Sequence, residues 1–172
     1  MIDGITFIEH FYENTTLYDR LVNEVTWNKD MKSRWTASFG RPYRYNGPEH
    51  DFQPMWPEMN QIAAAIEKEI GFLPNNCFLN YYFENLSRMG FHADNTEFLE
   101  PDTGIAVLSL GVERIFRVRR IENKEERYNY PLPEGSLIYM TNEVQETWHH
   151  GIPKSKVEGG RISLTFRKIQ EQ

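Results

Sequence analysis

Hydrophobic positions recur with two different periods along the chain, first every three to four residues and later every second residue. The first period predicts an amphipathic helix over residues 14–25, with Asn14 or Thr15 as its cap. Its apolar face holds Leu17, Leu21, Val22 and Val25. A second helix begins at Pro57, where the missing N–H costs nothing, and ends at Gly71. Its apolar face holds Met59, Ile62, Ile66 and Ile70.

After Gly71 the period shortens to two residues, which is typical of strands that are buried on one face. Turn-forming residues at 123–126 and 133–135 separate some of these stretches. The predicted strands are Cys77–Phe83, Ile105–Leu110, Ile115–Ile121, Arg127–Leu132, Ser136–Met140 and Arg161–Ile169. Helices followed by strands predict one α+β domain over residues 1–172, built around an antiparallel sandwich or barrel.

The stretch from residue 33 to 56 follows neither period and interleaves aromatic residues with arginines, glycines and prolines. One interpretation is a hairpin whose aromatic rings pack on the barrel. The other is a substrate lid, in which arginines bind phosphate and rings stack on a base. The candidate substrate contacts in this stretch are Phe39, Arg41, Tyr43, Arg44 and Tyr45.

Composition narrows the class of protein further. Hydrophobic residues make up 40% of the 172 residues, enough for a sizeable core, but no apolar run is long enough to span a membrane. The N-terminus lacks the basic flank and apolar core of a signal peptide. Cys77 is the single cysteine, which predicts a small core residue and a reducing, intracellular location, the cytoplasm. We expect a monomer without membrane contact.

The net charge of −6 bears on partners. Proteins that bind nucleic acid often carry a basic surplus, so a polynucleotide substrate would require a local basic patch here.

Two histidines and a carboxylate are spaced as candidate metal ligands. On a strand, His92 and Asp94 would point to the same face because they are two residues apart. A third ligand must come from a distant segment, and the residues alone leave His149 and His150 both open. Two histidines and one carboxylate on one face of Fe(II) leave three positions for a 2-oxo acid and oxygen.

The last predicted strand carries an arginine near each end. Arg161 and Arg167 share the parity of residues 163 and 165, so they lie opposite Ile162, Leu164 and Phe166. A buried arginine needs an anionic partner. A bidentate guanidinium–carboxylate pair would suit the far carboxylate of a dicarboxylate such as 2-oxoglutarate.

Five motifs together resemble the AlkB family along roughly the last hundred residues. They are Asn80-Tyr81-Tyr82, His92-Ala93-Asp94, residues 105–111, residues 150–153 and the Arg161-to-Arg167 run. The resemblance implies a double-stranded β-helix (jelly roll) near 77–169, with N-terminal helices and a lid near 33–56. It implies Fe(II) as cofactor, with 2-oxoglutarate and O2 as co-substrates. It favours His150 over His149, so the implied metal ligands are His92, Asp94 and His150. The implied 2-oxoglutarate contacts are Asn80, Tyr82, Arg161 and Arg167.

The implied activity is that of an Fe(II)/2-oxoglutarate-dependent dioxygenase that dealkylates nucleobases in DNA or RNA, releasing an N-methyl group as formaldehyde. One position departs from the family pattern. AlkB-type demethylases of damaged DNA carry an acidic residue two positions beyond the metal aspartate, where this chain has Thr96, a further candidate substrate contact, followed by Glu97. This departure and the negative charge keep one alternative open, a hydroxylase of a small molecule or protein side chain. A catalytically silent binding barrel is disfavoured by the complete triad and the two arginines.

Overall fold

The computed structural model describes residues 2–42, 51–84 and 87–171. Within these ranges the chain forms three helices, the last of which is a single turn. They are α1 (Thr16–Glu24), α2 (Pro57–Ile70) and α3 (Val144–Thr147). The strands described are β1 (Ile5–Ile8), β2 (Trp35–Gly40), β3 (Asn76–Tyr82), β4 (Met89–His92), β5 (Gly104–Gly111), β6 (Arg114–Arg120), β7 (Arg127–Leu132), β8 (Leu137–Thr141), β9 (Trp148–Ile152) and β10 (Arg161–Arg167).

The strands form two antiparallel sheets. The larger sheet has the order β1-β8-β5-β10-β3-β2, and the smaller has the order β4-β9-β6-β7. Strands that are far apart in sequence are neighbours, as β10 and β3 are, because the chain winds back and forth between the sheets. This arrangement confirms the predicted α+β fold with a double-stranded β-helix, the jelly roll.

The central strands β5 and β10 of the larger sheet are buried on both faces, so every side chain of β10 packs inside the protein. Ile162, Leu164 and Phe166 pack with apolar residues of α1 and α2 in one core. A second core lies between the two sheets and joins Val107 of β5 to Val118 of β6. The alternate residues of β10 face this space between the sheets.

Local signals mark the start of α1 and both ends of α2. The side-chain oxygen of Asn14 accepts hydrogen bonds from the backbone N–H and the hydroxyl of Thr16, at 3.0 Å and 2.7 Å, at the start of α1. Pro57 is the first residue of α2. Gly71 ends α2 with φ of 103°, a left-handed conformation that residues with a Cβ rarely adopt.

All six predicted strands are present, with bounds that differ by at most two residues. Four others, β1, β2, β4 and β9, were not predicted as strands. β1 and β4 have only four residues each, and β9 contains two histidines and a glycine. Such short or mixed stretches give little alternation to detect. Among the described residues, none of the helices combines the length and the apolar character needed to cross a membrane.

The stretch predicted as a lid is partly an ordinary strand. β2 is the edge strand of the larger sheet and pairs with β3 along its length. Gly40 ends β2, and its N–H donates to the carbonyl of Gln53 at 2.7 Å, so the two ends of the intervening segment lie side by side. Residues 43–50 of that segment lie outside the described residues.

Candidate iron and 2-oxoglutarate site

A cavity of about 420 Å³ opens between the two sheets. Its walls come from β3, β4, β5, β6, β9 and β10, together with the segment that precedes β2. The cavity contains His92, Asp94 and His150, and also Asn80, Tyr82, Arg161 and Arg167. The structure therefore brings together all seven residues that the sequence predicts for metal and 2-oxoglutarate, although His150 lies 58 positions after His92.

Strand pairing brings the two histidines side by side. β4 and β9 are antiparallel neighbours in the smaller sheet, and His92 lies directly opposite His150, with ring centroids 4.4 Å apart. Nε2 of His92 lies 3.5 Å from Oδ1 of Asp94, and Nε2 of His150 lies 3.8 Å from Oδ2. Two atoms that are each about 2.1 Å from one ion are at most roughly 4.2 Å apart. These separations therefore fit a shared metal ion, and the donor set fits Fe(II).

The prediction that His92 and Asp94 lie on the same strand is wrong. β4 ends at His92, so Asp94 is not on the same strand and strand alternation does not orient it. A side chain from α3 holds this segment instead: the backbone N–H of Asp94 donates to Oε1 of buried Gln145 at 2.9 Å. This contact places the carboxylate next to the histidines without a regular strand.

Neighbouring groups orient both imidazole rings. The carbonyl of Gly90 lies 2.8 Å from Nδ1 of His92, which favours a proton on Nδ1 and leaves Nε2 free to bind a metal. Phe116 of β6 stacks on the ring of His150 at 5.1 Å, with an interplanar angle of 16°. These contacts orient the rings before any ion binds.

The electrostatics favour an anionic Asp94 next to neutral His150. Burial raises the pKa of the Asp94 carboxyl, but Arg167 and the two histidines outweigh it and hold this pKa well below its usual range. Burial lowers the pKa of His150 to about 4, against the opposing charge of Asp94. Burial also lowers the pKa of His92, but its hydrogen bond with Asp94 gives a net rise. Because metal ligation requires neutral imidazole, His92 is the histidine at which protons compete with metal.

His149 points away from this site. It is the neighbour of His150 on β9, so its side chain lies on the opposite face of the smaller sheet, outside the residues that line the cavity. Opposite it on β6 is Arg119. Burial and the charge of Arg119 lower the pKa of His149.

The larger sheet supplies the residues predicted to bind 2-oxoglutarate. Arg161 of β10 pairs with Tyr82 of β3, and Asn80 lies two residues along the same face. Arg161 is 1% exposed, and its Nη2 donates to the hydroxyl of Ser109 at 2.8 Å. Its Nε and Nη1 are buried and have no hydrogen-bond partner among the described residues. Burial lowers the pKa of Arg161 to about 10, while Tyr82 opposes the shift. A carboxylate would satisfy these two donors.

Arg167 lies at the other end of β10 and belongs to the metal end of the cavity. Its Nη2 lies 3.3 Å from Oδ2 of Asp94. Because β10 spans six residue steps from Arg161 to Arg167, their backbones are separated by roughly 20 Å. The two arginines therefore serve opposite ends of the cavity, with the metal cluster beside Arg167.

Three further polar residues lie near the site but were not among the site residues predicted from the sequence. Arg34, which precedes β2, lines the cavity and donates from Nε to Oδ1 of Asn80 at 2.8 Å. Ser109 holds Arg161, as described above. Arg114 of β6 is buried, and its Nη2 donates to the carbonyls of Ser87 and Pro153, both at 2.7 Å. Ser109 could have been noticed as the one polar residue in the apolar run of β5, whereas no sequence pattern pointed to Arg34 or Arg114.

The predicted substrate contacts that the structure describes do not line the cavity. The structure corrects Phe39, which is 2% exposed and packs in the core with Trp56 instead of facing the cavity. Arg41 lies outside the cavity lining, with Nη1 3.8 Å from the carboxylate of Glu171. Thr96 does not line the cavity either. The other candidates, Tyr43, Arg44 and Tyr45, lie outside the described residues.

Comparison with known proteins agrees with this site and fold. The model of the 2OG-Fe(II) oxygenase superfamily matches residues 9–167, and the chain belongs to that superfamily. Its relatives make it an AlkB-like member. The rat alpha-ketoglutarate-dependent dioxygenase alkB homolog 3 is 29% identical over 89% of this chain. The Arabidopsis thaliana DNA oxidative demethylase ALKBH2 is 30% identical over 92% of this chain. The chain spans 59% and 63% of the lengths of these two relatives.

The fold is also that of a solved structure described as the structure of OsALKBH1. The two superpose with a TM-score of 0.71, covering 98% of this chain and 99% of that one, at 17% sequence identity. The superfamily uses Fe(II), 2-oxoglutarate and O2. The donor set around Asp94 and the unsatisfied donors of Arg161 fit that cofactor and co-substrate.

Proposed function

We propose that this chain is an Fe(II)- and 2-oxoglutarate-dependent dioxygenase that removes alkyl groups from nucleobases in DNA or RNA. One observation carries the proposal. A single cavity holds, at one end, two histidines and an aspartate within 4.8 Å of one another. It also holds a buried arginine, Arg161, with two unsatisfied donors. A metal and a dicarboxylate would each find complementary groups there.

The proposed roles follow the positions of the side chains. His92, Asp94 and His150 hold iron through Nε2 of each imidazole and the carboxylate. Arg161 binds the far carboxylate of 2-oxoglutarate with its fork of donors, and Asn80 and Tyr82 line the passage beside it. The near end of 2-oxoglutarate then lies toward the metal cluster, next to Arg167.

When bound, iron(II) supplies the activation of O2 that couples oxidative decarboxylation of 2-oxoglutarate to oxidation of a C–H bond. The chain provides the surroundings for this chemistry. Val107 and Phe116 contribute apolar surface to the walls of the cavity. Arg167 helps to keep Asp94 ionised. Hydroxylation of an N-methyl group gives a hemiaminal that loses formaldehyde and leaves the bare amine.

Two observations support a nucleobase substrate. The relatives include a protein named DNA oxidative demethylase. The cavity of about 420 Å³ is within the size range of sites for small organic groups, so it can hold a co-substrate next to an unstacked base. We further propose a reducing, cytoplasmic location and a monomer. The single cysteine, Cys77, is free and buried, so the fold does not depend on a disulfide.

One observation favours a different substrate, a small molecule or a protein side chain. The acid that would recognise a base amino group is replaced by Thr96, which does not line the cavity. Glu97 follows it and is exposed, with its N–H bonded to Oδ1 of Asn95. Neither residue supplies an acidic contact inside the cavity.

The test is turnover of a defined set of substrates. The protein is incubated with Fe(II), ascorbate, 2-oxoglutarate and a panel of methylated DNA and RNA oligonucleotides, and the products are weighed by mass spectrometry. We expect loss of methyl groups together with succinate and formaldehyde. Asp94→Ala is the inactive control, and His149→Ala is the matched control that should stay active. Succinate production without change in any oligonucleotide would favour the hydroxylase alternative.

A further inference from the structure

A buried arginine, Arg114, joins the ends of the two strands that carry the candidate metal histidines. It is the first residue of β6 and is 1% exposed. Its Nη2 donates to the carbonyl of Ser87, two residues before β4 begins, and to the carbonyl of Pro153, the residue after β9 ends. One nitrogen therefore bridges the start of β4 and the end of β9, which are neighbours because the two strands are antiparallel.

The backbone pairing around β4 and β9 is sparse. The pairing of β6 with β9 stops at Gly151, one residue before β9 ends. Between β4 and β9, Met89 lies opposite Ile152 and His92 lies opposite His150. The register shifts between these two pairs, because β4 advances by three residues while β9 advances by two. An extra residue on one strand disrupts the ladder locally, so hydrogen bonding within the sheet constrains the relative position of these strands weakly.

Both strands also have a glycine between the bridge of Arg114 and the histidine. Gly90 and Gly151 lack a Cβ, which leaves the backbone its greatest freedom at these positions. The carbonyl of Gly90 lies 2.8 Å from Nδ1 of His92, so the position of this part of β4 also sets the orientation of the imidazole ring. The glycines make the placement of the two rings dependent on contacts from outside the strands.

Arg114 is an energetically unfavourable side chain to bury here. Burial lowers its pKa, and Tyr82 opposes this shift. In the part of the chain that the structure describes, its Nε and Nη1 have no hydrogen-bond partner. An apolar side chain would avoid burying these donors but could not bond two carbonyls from different segments. The bridge between β4 and β9 is thus a gain that requires a donor at this position.

We propose that Arg114 is a positioning residue for the metal site: by bridging Ser87 and Pro153, it holds β4 and β9 at the separation that brings His92 and His150 to one ion. This inference rests on the proposed function, because it takes these two histidines to be metal ligands. Arg114 does not line the cavity. It therefore acts on the histidines through their strands and not by touching a ligand.

Metal binding tests the bridge without requiring turnover. We would measure the Kd for Co(II) and the visible spectrum of the Co(II)-loaded parent, Arg114→Met and Arg114→Lys proteins. Arg114→Met fills the space but cannot donate. It should weaken Co(II) binding about tenfold, the lower end of the effect of removing contacts that orient metal ligands, and it should alter the d–d bands. Arg114→Lys should recover part of the affinity, because an ammonium has three donors and can bond both carbonyls.

A matched control separates positioning from general stability. Ile62→Val removes one methylene from the buried face of α2, in the other core of the protein. It should lower the melting temperature about as much as Arg114→Met, yet leave Co(II) affinity and spectrum unchanged. In the metal-free proteins, amide hydrogen exchange in β4 and β9 should be faster in Arg114→Met and unchanged in Ile62→Val. Arg114→Gln, which keeps a neutral donor, replaces Arg114→Met if that variant does not fold.

The outcomes distinguish this inference from the proposed function. Unchanged Co(II) affinity and spectrum in Arg114→Met would overturn the inference and leave the proposed function standing. Equal losses in Ile62→Val would also overturn it, because reduced stability would then explain them. Weaker 2-oxoglutarate binding with unchanged metal affinity would mean that Arg114 acts through Tyr82, and the bridge would again be rejected. A parent protein that binds no Co(II) would overturn the metal site and with it the proposed function.

Discussion

Arg161 offers the sharpest test of the site. Its fully buried guanidinium donates to Ser109 and lies against Tyr82, whereas its Nε and Nη1 have no hydrogen-bond partner in the part of the chain that the structure describes. If these donors hold the far carboxylate of 2-oxoglutarate, Arg161→Ala should weaken binding by on the order of 2–5 kcal/mol, the usual cost of truncating a buried charged pair. That corresponds to roughly 30-fold to a few thousand-fold in Kd. Arg161→Lys should recover only part of the loss, because an ammonium cannot form the planar fork.

The same geometry predicts that replacing Arg161, although it weakens ligand binding, stabilises the ligand-free protein. Each unsatisfied buried donor costs about 1–3 kcal/mol, and the hydrogen bond to Ser109 returns part of this. Arg161→Met keeps the volume and removes the charge. It should therefore raise the free energy of unfolding without ligand by on the order of 1–3 kcal/mol, and 2-oxoglutarate should no longer raise its melting temperature.

Two measurements check these expectations. Isothermal titration under anaerobic conditions gives the Kd for 2-oxoglutarate in the iron-loaded parent and variants, and thermal unfolding with and without 2-oxoglutarate gives the stabilities. An unchanged Kd in Arg161→Ala would remove this residue from the co-substrate site and direct attention to Arg167. A less stable ligand-free Arg161→Met would mean that the guanidinium has partners other than a bound carboxylate, and the argument from unsatisfied donors would fail.

Three further predictions concern the metal and the fold. His92→Ala, Asp94→Ala and His150→Ala should each lose iron, as measured by metal analysis, whereas His149→Ala should keep it; the reverse result for the two neighbouring histidines would mean that the wrong one was chosen. Iron affinity should fall about tenfold per pH unit below the raised pKa of His92, because the proton on His92 must leave before the metal binds. His150, with a pKa of about 4, stays neutral over this range. If His92 is not a ligand, iron titrations at several pH values would show no such fall. Arg114→Met should lower the free energy of unfolding by about 1 kcal/mol, because two carbonyls lose their charged donor and this cost exceeds the gain from removing the unsatisfied Nε and Nη1 of Arg114; denaturant unfolding with an unchanged or higher midpoint would contradict this.

The sequence determined the features that depend on local period. Alternation along β10 placed Arg161 and Arg167 on the face opposite Ile162, Leu164 and Phe166, and the structure has them so. This works because successive side chains of a strand point to opposite faces whatever the strand pairs with. The same local logic predicted α2 from Pro57 to Gly71, since helix ends are fixed by residues within one turn.

Only the tertiary structure decided which distant segments meet. The alternation of side chains along β9 could not show whether His149 or His150 binds the metal. The answer depends on which face of β9 is turned toward the other sheet. Asp94 is held in place by Gln145 of α3, and the spacing of residues in the sequence does not predict this contact. Phe39 belongs to the core because β2 pairs with β3, although its aromatic and arginine neighbours favoured a lid.

Three cations that line the cavity beside the candidate active site show the same limit. Arg34, Arg88 and Lys154 come from three separate segments, and each reads as an isolated surface charge in an acidic chain. They surround one cavity because the segments before β2, before β4 and after β9 converge where the two sheets open. Sequence period fixes the direction of a side chain relative to its own strand, whereas the order of strands and the closure of loops fix its neighbours.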